Sequence, residues 1–168
     1  MIKKGEQNNM NRYHKKNIFT LKLDDWAWVG ECLYDHEYEG FIPSGKGTMT
    51  NPDQDVYRGE VVEGGTYHGT GKLTFSNGDV YKGDFCYDYF HGHGTYSYTD
   101  GDKYVGEWSN GEKHGEGTIF YTDGDKYVGK WRNGEAHGTG TWYYAEKDGY
   151  APYERNVEYR NCEEVEED

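Results

Sequence analysis

The sequence predicts an all-β protein: a single-layer, elongated and curved antiparallel sheet of repeated β-hairpins. Three observations support this prediction. A 23-residue period runs through most of the chain, aromatic residues and glycines occupy alternate positions within each period, and Asn-Gly or Asp-Gly pairs separate the segments. Such alternation covers one face of a strand, and such pairs are typical of tight turns.

The composition favours a thin aromatic core. The 168 residues include 18 Tyr, 5 Trp and 25 Gly, and the mean hydropathy is -1.14. This length fits one domain or one short repeat array. A chain with few aliphatic residues must bury aromatic rings or stay disordered, and the regular spacing of the rings argues against disorder.

The formal net charge is -13 and is unevenly distributed. Residues 1–26 carry +3, residues 27–150 carry -11 and residues 151–168 carry -5. Because phosphates need Lys and Arg for affinity, this charge excludes nucleic acid as a partner and disfavours anionic lipid, except at the N-terminal arm.

The spacing of the cysteines and the lack of long apolar runs indicate the cellular compartment of the protein. Cys32, Cys86 and Cys162 are widely separated, so neither a disulfide framework nor a zinc site is predicted. The N-terminal residues include no apolar signal segment, and no later run is long enough to span a membrane. We therefore expect a protein of the cytoplasm or the nucleus.

The elements begin with a basic flexible arm at residues 1–17. Residues 18–27 form a predicted N-terminal capping strand, because Phe19, Leu21 and Leu23 alternate with polar residues. A cap is needed because a terminal strand exposes unpaired backbone groups.

Five hairpin repeats are predicted over residues 28–149. Their bounds are 28–56, 57–80, 81–103, 104–126 and 127–149. The first copy is degenerate: Trp28-x-Gly30-x-Cys32 opens it, and a six-residue loop insertion falls between Leu33 and Ser44.

Each complete copy has two motifs, Tyr-x-Gly followed by an apolar slot, and then His-Gly-x-Gly. The tyrosines are Tyr57, Tyr81, Tyr104 and Tyr127, and the apolar slots hold Val61, Phe85, Trp108 and Trp131. The histidines are His68, His91, His114 and His137. The repeat glycines are Gly59, Gly69, Gly71, Gly83, Gly92, Gly94, Gly106, Gly115, Gly117, Gly129, Gly138 and Gly140.

Glycine within a strand costs roughly 0.5–1 kcal/mol relative to Ala, so three in every repeat require a reason. They share the parity of the aromatic slots, which predicts that large rings lie across the bare backbone of neighbouring strands.

After the last copy, residues 150–168 form an acidic C-terminal tail or cap. Tyr150 occupies the next tyrosine slot, but Pro152 stands where the glycine should follow. A short helix and a strand both fit this segment.

These motifs resemble the MORN (membrane occupation and recognition nexus) repeat, whose pattern is about 23 residues long with Y-x-G-x-W, then G, then H-G-x-G. The resemblance covers residues 28–149. It implies an elongated, curved antiparallel sheet with an aromatic-lined groove that serves as a protein-binding scaffold, and phosphoinositide binding has been proposed in the family. The chain departs from the pattern at Cys32, in the Trp slot, and at Ser44, in the His slot. It also has no room for the enzyme domain that some members carry.

The histidine column and the paired aspartates invite chemical interpretations. Successive histidines lie two strands apart, roughly 9–10 Å, too far to share one metal ion, so a turn-stabilising hydrogen bond is favoured. Asp100/Asp102 and Asp123/Asp125 flank turn glycines and are interpreted as turn residues. With no nucleophile–base pair, metal set or cofactor loop, we expect no catalytic residue, no metal and no cofactor.

The favoured function is a non-catalytic scaffold that binds a protein partner, or a second copy of itself, in the aromatic groove. Acidic walls predict a basic or neutral amphipathic ligand. The groove candidates are Tyr57, Tyr81, Phe85, Tyr104, Trp108, Tyr127 and Trp131. The alternative is a membrane-associated module that makes a weak phosphoinositide contact through Lys3, Lys4, Arg12, Lys15 and Lys16.

Overall fold

The computed structural model describes residues 18–23, 26–35, 40–62, 64–147, 149–160 and 163–164. Over these residues the chain forms one antiparallel sheet of thirteen strands, in which each strand pairs with its neighbours in sequence. The strands are β1 (Ile18–Leu23), β2 (Trp26–Asp35), β3 (Gly40–Thr50), β4 (Val56–Val62), β5 (Thr66–Thr74), β6 (Val80–Cys86), β7 (Tyr89–Ser97), β8 (Lys103–Ser109), β9 (Glu112–Phe120), β10 (Lys126–Arg132), β11 (Glu135–Tyr144), β12 (Tyr153–Arg160) and β13 (Glu163–Glu164). The prediction of a single all-β sheet of hairpins is confirmed, and the sheet is open, with β1 and β13 at its edges.

A row of ten glycines crosses the sheet, one from each strand from β2 to β11. Each lies directly opposite the next in the strand registers. The row consists of Gly30, Gly47, Gly59, Gly71, Gly83, Gly94, Gly106, Gly117, Gly129 and Gly140. It ends where Phe19 of β1 pairs with Gly30 and Val157 of β12 pairs with Gly140.

The first glycine of each Gly-x-Gly has a different role from the one predicted. Gly69, Gly92, Gly115 and Gly138 have φ between 56° and 64°. They lie at register shifts within the hairpins, where the second strand carries two extra residues. A bulge with a left-handed first residue favours glycine. The ring-packing explanation is therefore wrong for this glycine of each repeat, although it holds for the other two.

The six-residue insertion lengthens the first hairpin instead of forming an irregular loop at its base. Beyond the bulge, β2 and β3 continue to pair through Cys32 with Pro43, and then through Leu33, Tyr34 and Asp35 with residues 42, 41 and 40. This added segment, residues 32–35 and 40–43, is called the hairpin extension below.

The described part of the C-terminal tail is a strand, which decides between the two structures left open by the sequence. β12 pairs with β11 from Tyr144 to Gly138, and β13 adds two residue pairs. Val157 is buried, and Trp142 Nε1 donates a hydrogen bond to the hydroxyl of Tyr159 at 3.0 Å. The tail thus extends the sheet and covers the last aromatic rings.

Candidate functional site

The tyrosine of each Tyr-x-Gly motif lies flat across the glycine row. An added Cβ at Gly71 would lie 2.5 Å from the ring of Tyr57, and one at Gly94 would lie 2.5 Å from the ring of Tyr81. Trp28 takes the same place over Gly30 in the first copy. Because these distances leave no room for a side chain, the glycines are required to seat the rings.

A hydrogen bond to the backbone locks each of these rings, with one exception. The hydroxyl of Tyr81 donates to the carbonyl of Asp84 at 2.9 Å, that of Tyr104 donates to Glu107 at 3.1 Å, and Trp28 Nε1 donates to Glu31 at 3.2 Å. Burial raises the pKa of Tyr104 well above its usual value, so the hydroxyl remains a neutral donor. The hydroxyl of Tyr127 is buried and has no partner among the described residues.

The residues of the apolar slot fill the spaces between successive tyrosines. Phe85 stands edge-on to Tyr57 and Tyr81, with ring centroids 5.1 Å apart in both pairs. Trp108 bridges Tyr81 and Tyr104 in the same way, and Trp131 bridges Tyr104 and Tyr127, at 5.2–5.5 Å. Edge-to-face pairs at this separation are favourable beyond the area that they bury. The result is a continuous herringbone of rings along one face of the sheet, called the aromatic face below.

The burial of these rings revises the predicted groove. The four tyrosines are at most 1% exposed, Phe85 is 3% exposed, and Trp108 and Trp131 are 7% exposed. All seven groove candidates are therefore core residues, since they cover one another and the glycine row. A partner on this face would contact the rings around them instead.

A second aromatic column, which the sequence interpretation missed, provides such rings. It also has the 23-residue period and consists of Phe75, Tyr98, Tyr121 and Tyr144. All four are half-buried. Tyr98 packs against Tyr96 at 4.6 Å, and Tyr121 stacks on Trp142 at 5.6 Å. Counting the period beyond the named motifs would have found this turn-side column.

The turn-side column borders a row of carboxylates. Its residues begin the turns between repeats, as when Tyr98 N–H donates to the carbonyl of Asp102 at 2.9 Å. Burial raises the pKa of Tyr98, and the charges of Asp79, Asp100 and Asp102 raise it further. The exposed edges of these rings thus lie in a negative field.

The aromatic face continues into the hairpin extension, where it is more exposed. Phe41 stacks on Phe19 with ring centroids 4.3 Å apart, and Tyr34 meets Phe41 edge-on at 5.1 Å. Tyr34 is 47% exposed and Phe41 is 41% exposed. The insertion therefore adds exposed aromatic surface to this face.

The histidines contribute less than predicted. His91 and His114 are exposed, and His68 packs edge-on to Tyr87 at 5.2 Å with its Nδ1 atom buried and unpartnered among the described residues. Among the described residues, His68 has no side-chain hydrogen-bond partner, so the predicted turn-stabilising bond is not seen there. Instead, the backbone carbonyls of His68 and His91 lie 3.5 Å from tyrosine hydroxyls.

At the bulges, side-chain carboxylates accept hydrogen bonds from the backbone. Asp84 Oδ2 accepts the backbone N–H of His93 at 3.0 Å, and Glu107 Oε1 accepts that of Glu116 at 3.1 Å. Lys130 occupies the same position in the last repeat, so that bulge has no equivalent carboxylate. The acidic residue after the Tyr-x-Gly motif is thus structural in the third and fourth repeats.

Two further predictions concern ligands and membranes. Within the described ranges, no group of three His, Cys, Asp or Glu residues is placed to hold a metal ion. The same part of the chain has no helix with the length and apolarity needed to cross a bilayer. The five cations of the basic arm, from Lys3 to Lys16, lie outside the described residues.

Together these features define a class of protein: a single-layer array of β-hairpin repeats with a glycine row under stacked aromatic rings. The MORN repeat family model matches residues 42–56, 57–80, 81–103, 104–126 and 127–149. The chain therefore belongs to the MORN repeat family. The first match begins within β3, at residue 42, so most of the hairpin extension lies outside it. Repeats of this family are generally non-catalytic. No curated protein matches the chain.

Proposed function

We propose that this protein is a non-catalytic scaffold that binds a segment of a protein partner along the turn-side column of its aromatic face. The observation that carries the proposal is the combination of half-buried rings at regular intervals with a border of carboxylates. Tyrosine and tryptophan bring contact area at little cost in side-chain entropy, which suits them to partner surfaces.

The spacing of the column indicates what the partner looks like. Successive column residues lie two strands apart, about 9–10 Å. An extended segment covers this distance in about three residues, and a helix covers it in about six or seven. The negative border favours basic side chains between the apolar contacts.

The partner would not rest on the seven buried rings. Tyr98 and Tyr121 keep exposed edges, whereas Tyr104 between them is fully buried. Tyr34 and Phe41 of the hairpin extension are also exposed on this face, but they lie at the opposite ends of the strands from the turn-side column.

A displayed random-peptide library, selected against the immobilised full chain, tests the proposal. We expect the enriched peptides to combine basic with apolar or aromatic residues. Binding should be lost in the double variant Tyr98→Ser/Tyr121→Ser. It should be retained in Val105→Ser/Val128→Ser, since both valines are exposed on the opposite face. Equal binding to both variants, or enrichment of acidic peptides that bind the aromatic face, would overturn the proposal.

A further inference from the structure

Three cations lie side by side on the face opposite to the aromatic rings. Arg58 of β4 is directly opposite Lys72 of β5, and Lys72 is directly opposite Lys82 of β6. All three side chains are exposed, and none forms an ion pair with a described residue. Like charges directly opposite each other destabilise a sheet. The three residues, called the basic row below, therefore carry a cost that the described contacts do not offset.

The nearest acids on the same strands have other partners. Glu60, two residues after Arg58, binds Lys46 Nζ at 3.1 Å. Asp84, two residues after Lys82, accepts the N–H of His93. The basic row therefore keeps its charge, although the chain as a whole carries -13.

The basic row lines a shallow concavity with the hydroxyl-bearing Thr70 and Thr95 and a floor of glycine backbone. Later repeats lack the charges: the corresponding row positions hold Val105, Thr118, Val128 and Thr141. The feature thus belongs to the second and third repeats and does not follow from the repeat fold. A site of this chemistry would take an anionic ligand.

We propose that the basic row binds the acidic C-terminal segment of a second copy of this chain. Residues 161–168 include five acids and no base, and the acids are Glu163, Glu164, Glu166, Glu167 and Asp168. This is the densest run of negative charge in the sequence, and it complements the basic row directly. The aromatic face takes no part, so this proposal does not depend on the proposed function.

The segment cannot reach the basic row of its own chain. β13, which holds Glu164, lies seven strands beyond β6, which holds Lys82. At about 4.8 Å per strand the separation is about 34 Å. Residues 165–168 extend at most about 14 Å. The contact must therefore come from another copy, and two antiparallel copies can each provide a segment and a basic row in a two-fold arrangement.

A narrow segment fits this face better than a flat anionic membrane does. The neighbouring positions on this face include Asp84 and Glu107, opposite Thr70 and His93. They also include Glu60 and Glu116, opposite Lys46 and Lys130. A bilayer would bring these acids close to its own negative charge, whereas a peptide can follow the three cations alone.

Sedimentation equilibrium of the full chain at low salt tests the proposal. The wild type should form a dimer that weakens with added salt. The variant Lys72→Glu/Lys82→Glu should raise the dissociation constant by about tenfold or more. The matched control Lys103→Glu/Lys126→Glu has the same net charge but changes lysines that stack on Phe120 and Tyr143. It should leave the dissociation constant within about threefold of the wild type.

Charge exchange separates a specific contact from a general charge effect. Glu166→Lys/Glu167→Lys should weaken the dimer alone and restore it when combined with Lys72→Glu/Lys82→Glu. Circular dichroism of each variant checks that the sheet is intact. Three results would each overturn the proposal. The wild type could be monomeric, Lys72→Glu/Lys82→Glu and the control variant could weaken the dimer equally, or the combined variant could fail to restore the dimer.

A labelled peptide of residues 158–168 provides a direct measurement by fluorescence anisotropy. It should bind the wild type and the control variant but not Lys72→Glu/Lys82→Glu. Vesicles that contain phosphoinositide serve as the competing ligand. If the vesicles bind through Lys72 and Lys82 while the peptide does not bind, the basic row contacts membranes and the proposal is wrong.

Discussion

Asp79 Oδ1 accepts a hydrogen bond from the backbone N–H of Thr99 at 2.9 Å, so one inter-repeat turn is tied to the next. The same bond recurs along the sheet at 2.8–2.9 Å, from Ser76 to Asp55, from Thr122 to Asp102 and from Ala145 to Asp125. Asp55, Asp79, Asp102 and Asp125 therefore each link neighbouring repeats. In a repeat array, such contacts between neighbours determine how cooperatively the units fold.

Replacing Asp79 with Ala should destabilise the protein by about 1–3 kcal/mol, because it removes a buried carboxylate that accepts several hydrogen bonds. Asp79 also accepts hydrogen bonds from the Tyr96 hydroxyl at 2.9 Å and from Asn77 Nδ2 at 3.1 Å. Urea denaturation measures the loss. Asp53→Ala, at an exposed turn position, should change the free energy of unfolding by less than about 0.5 kcal/mol.

The same aspartate should make stability depend on acidity. Burial raises the pKa of Asp79, but hydrogen bonds from Asn77, Thr99 and Tyr96 outweigh burial and hold the pKa below its ordinary value of 3.8. A carboxyl with a lowered pKa in the folded state stabilises the protein above pH 3.8, and this contribution is lost as the pH falls through the folded-state value. Urea denaturation at several pH values between 6 and 3 measures this dependence. The free energy of unfolding should fall less steeply with decreasing pH for Asp79→Asn than for the wild type. Equal slopes would contradict the assignment.

Two tyrosines in the same slot should respond differently to loss of the hydroxyl. Tyr104→Phe leaves the carbonyl of Glu107 without its donor and should cost about 1–2 kcal/mol. Tyr127→Phe removes a buried hydroxyl that has no partner among the described residues, so it should be neutral or stabilising. Thermal unfolding of the two single variants provides the comparison. A larger loss for Tyr127→Phe would contradict the role given to the hydroxyls.

Replacement of two glycines by Ala should cost different amounts of stability, because the two glycines are required for different reasons. An added Cβ at Gly106 would lie 2.6 Å from the Cα of Gly117 and 2.6 Å from the Tyr104 hydroxyl, so Gly106→Ala should cost about 3 kcal/mol or more. Gly134 has φ of 84° and nothing within 4 Å of the added Cβ. Gly134→Ala should therefore cost only about 1 kcal/mol, from the strained backbone alone. Chemical denaturation distinguishes the two, and equal losses would contradict the packing argument.

One substitution in the turn between β6 and β7 should make the protein more stable. Tyr87 and Asp88 have φ of 49° and 70°. The equivalent turn between β8 and β9 has Asn110 and Gly111 at these two positions, also with positive φ. A large side chain is disfavoured at positive φ, so Tyr87→Asn should stabilise the protein by about 0.5–1 kcal/mol. The reverse change, Asn110→Tyr, should destabilise it by a similar amount. Melting temperatures of both variants check the prediction, and changes of the same sign would contradict it.

Much of the fold was predictable because the repeat is visible in the spacing of a few residues. The 23-residue period, the turn glycines and the alternation of rings with glycines were sufficient to predict the hairpins. The exposure of each ring was not predictable in this way. Tyr98 and Tyr104 are both tyrosines with the repeat period, but only neighbouring strands determine that Tyr104 is buried. The groove candidates were therefore chosen by motif, and the more accessible column was missed.

The sequence by itself determined the all-β class, the hairpin repeat and the acidic charge, since each depends on local spacing or on composition. The tertiary structure decided which contacts join the repeats. The bond from Thr99 to Asp79 and the row of Arg58, Lys72 and Lys82 depend on strand register, which brings together residues 10 to 20 positions apart. The structure also decided that the insertion extends a hairpin and that β12 is a strand. Both outcomes depend on pairing with a neighbouring strand, a contact that periodicity within one segment does not specify.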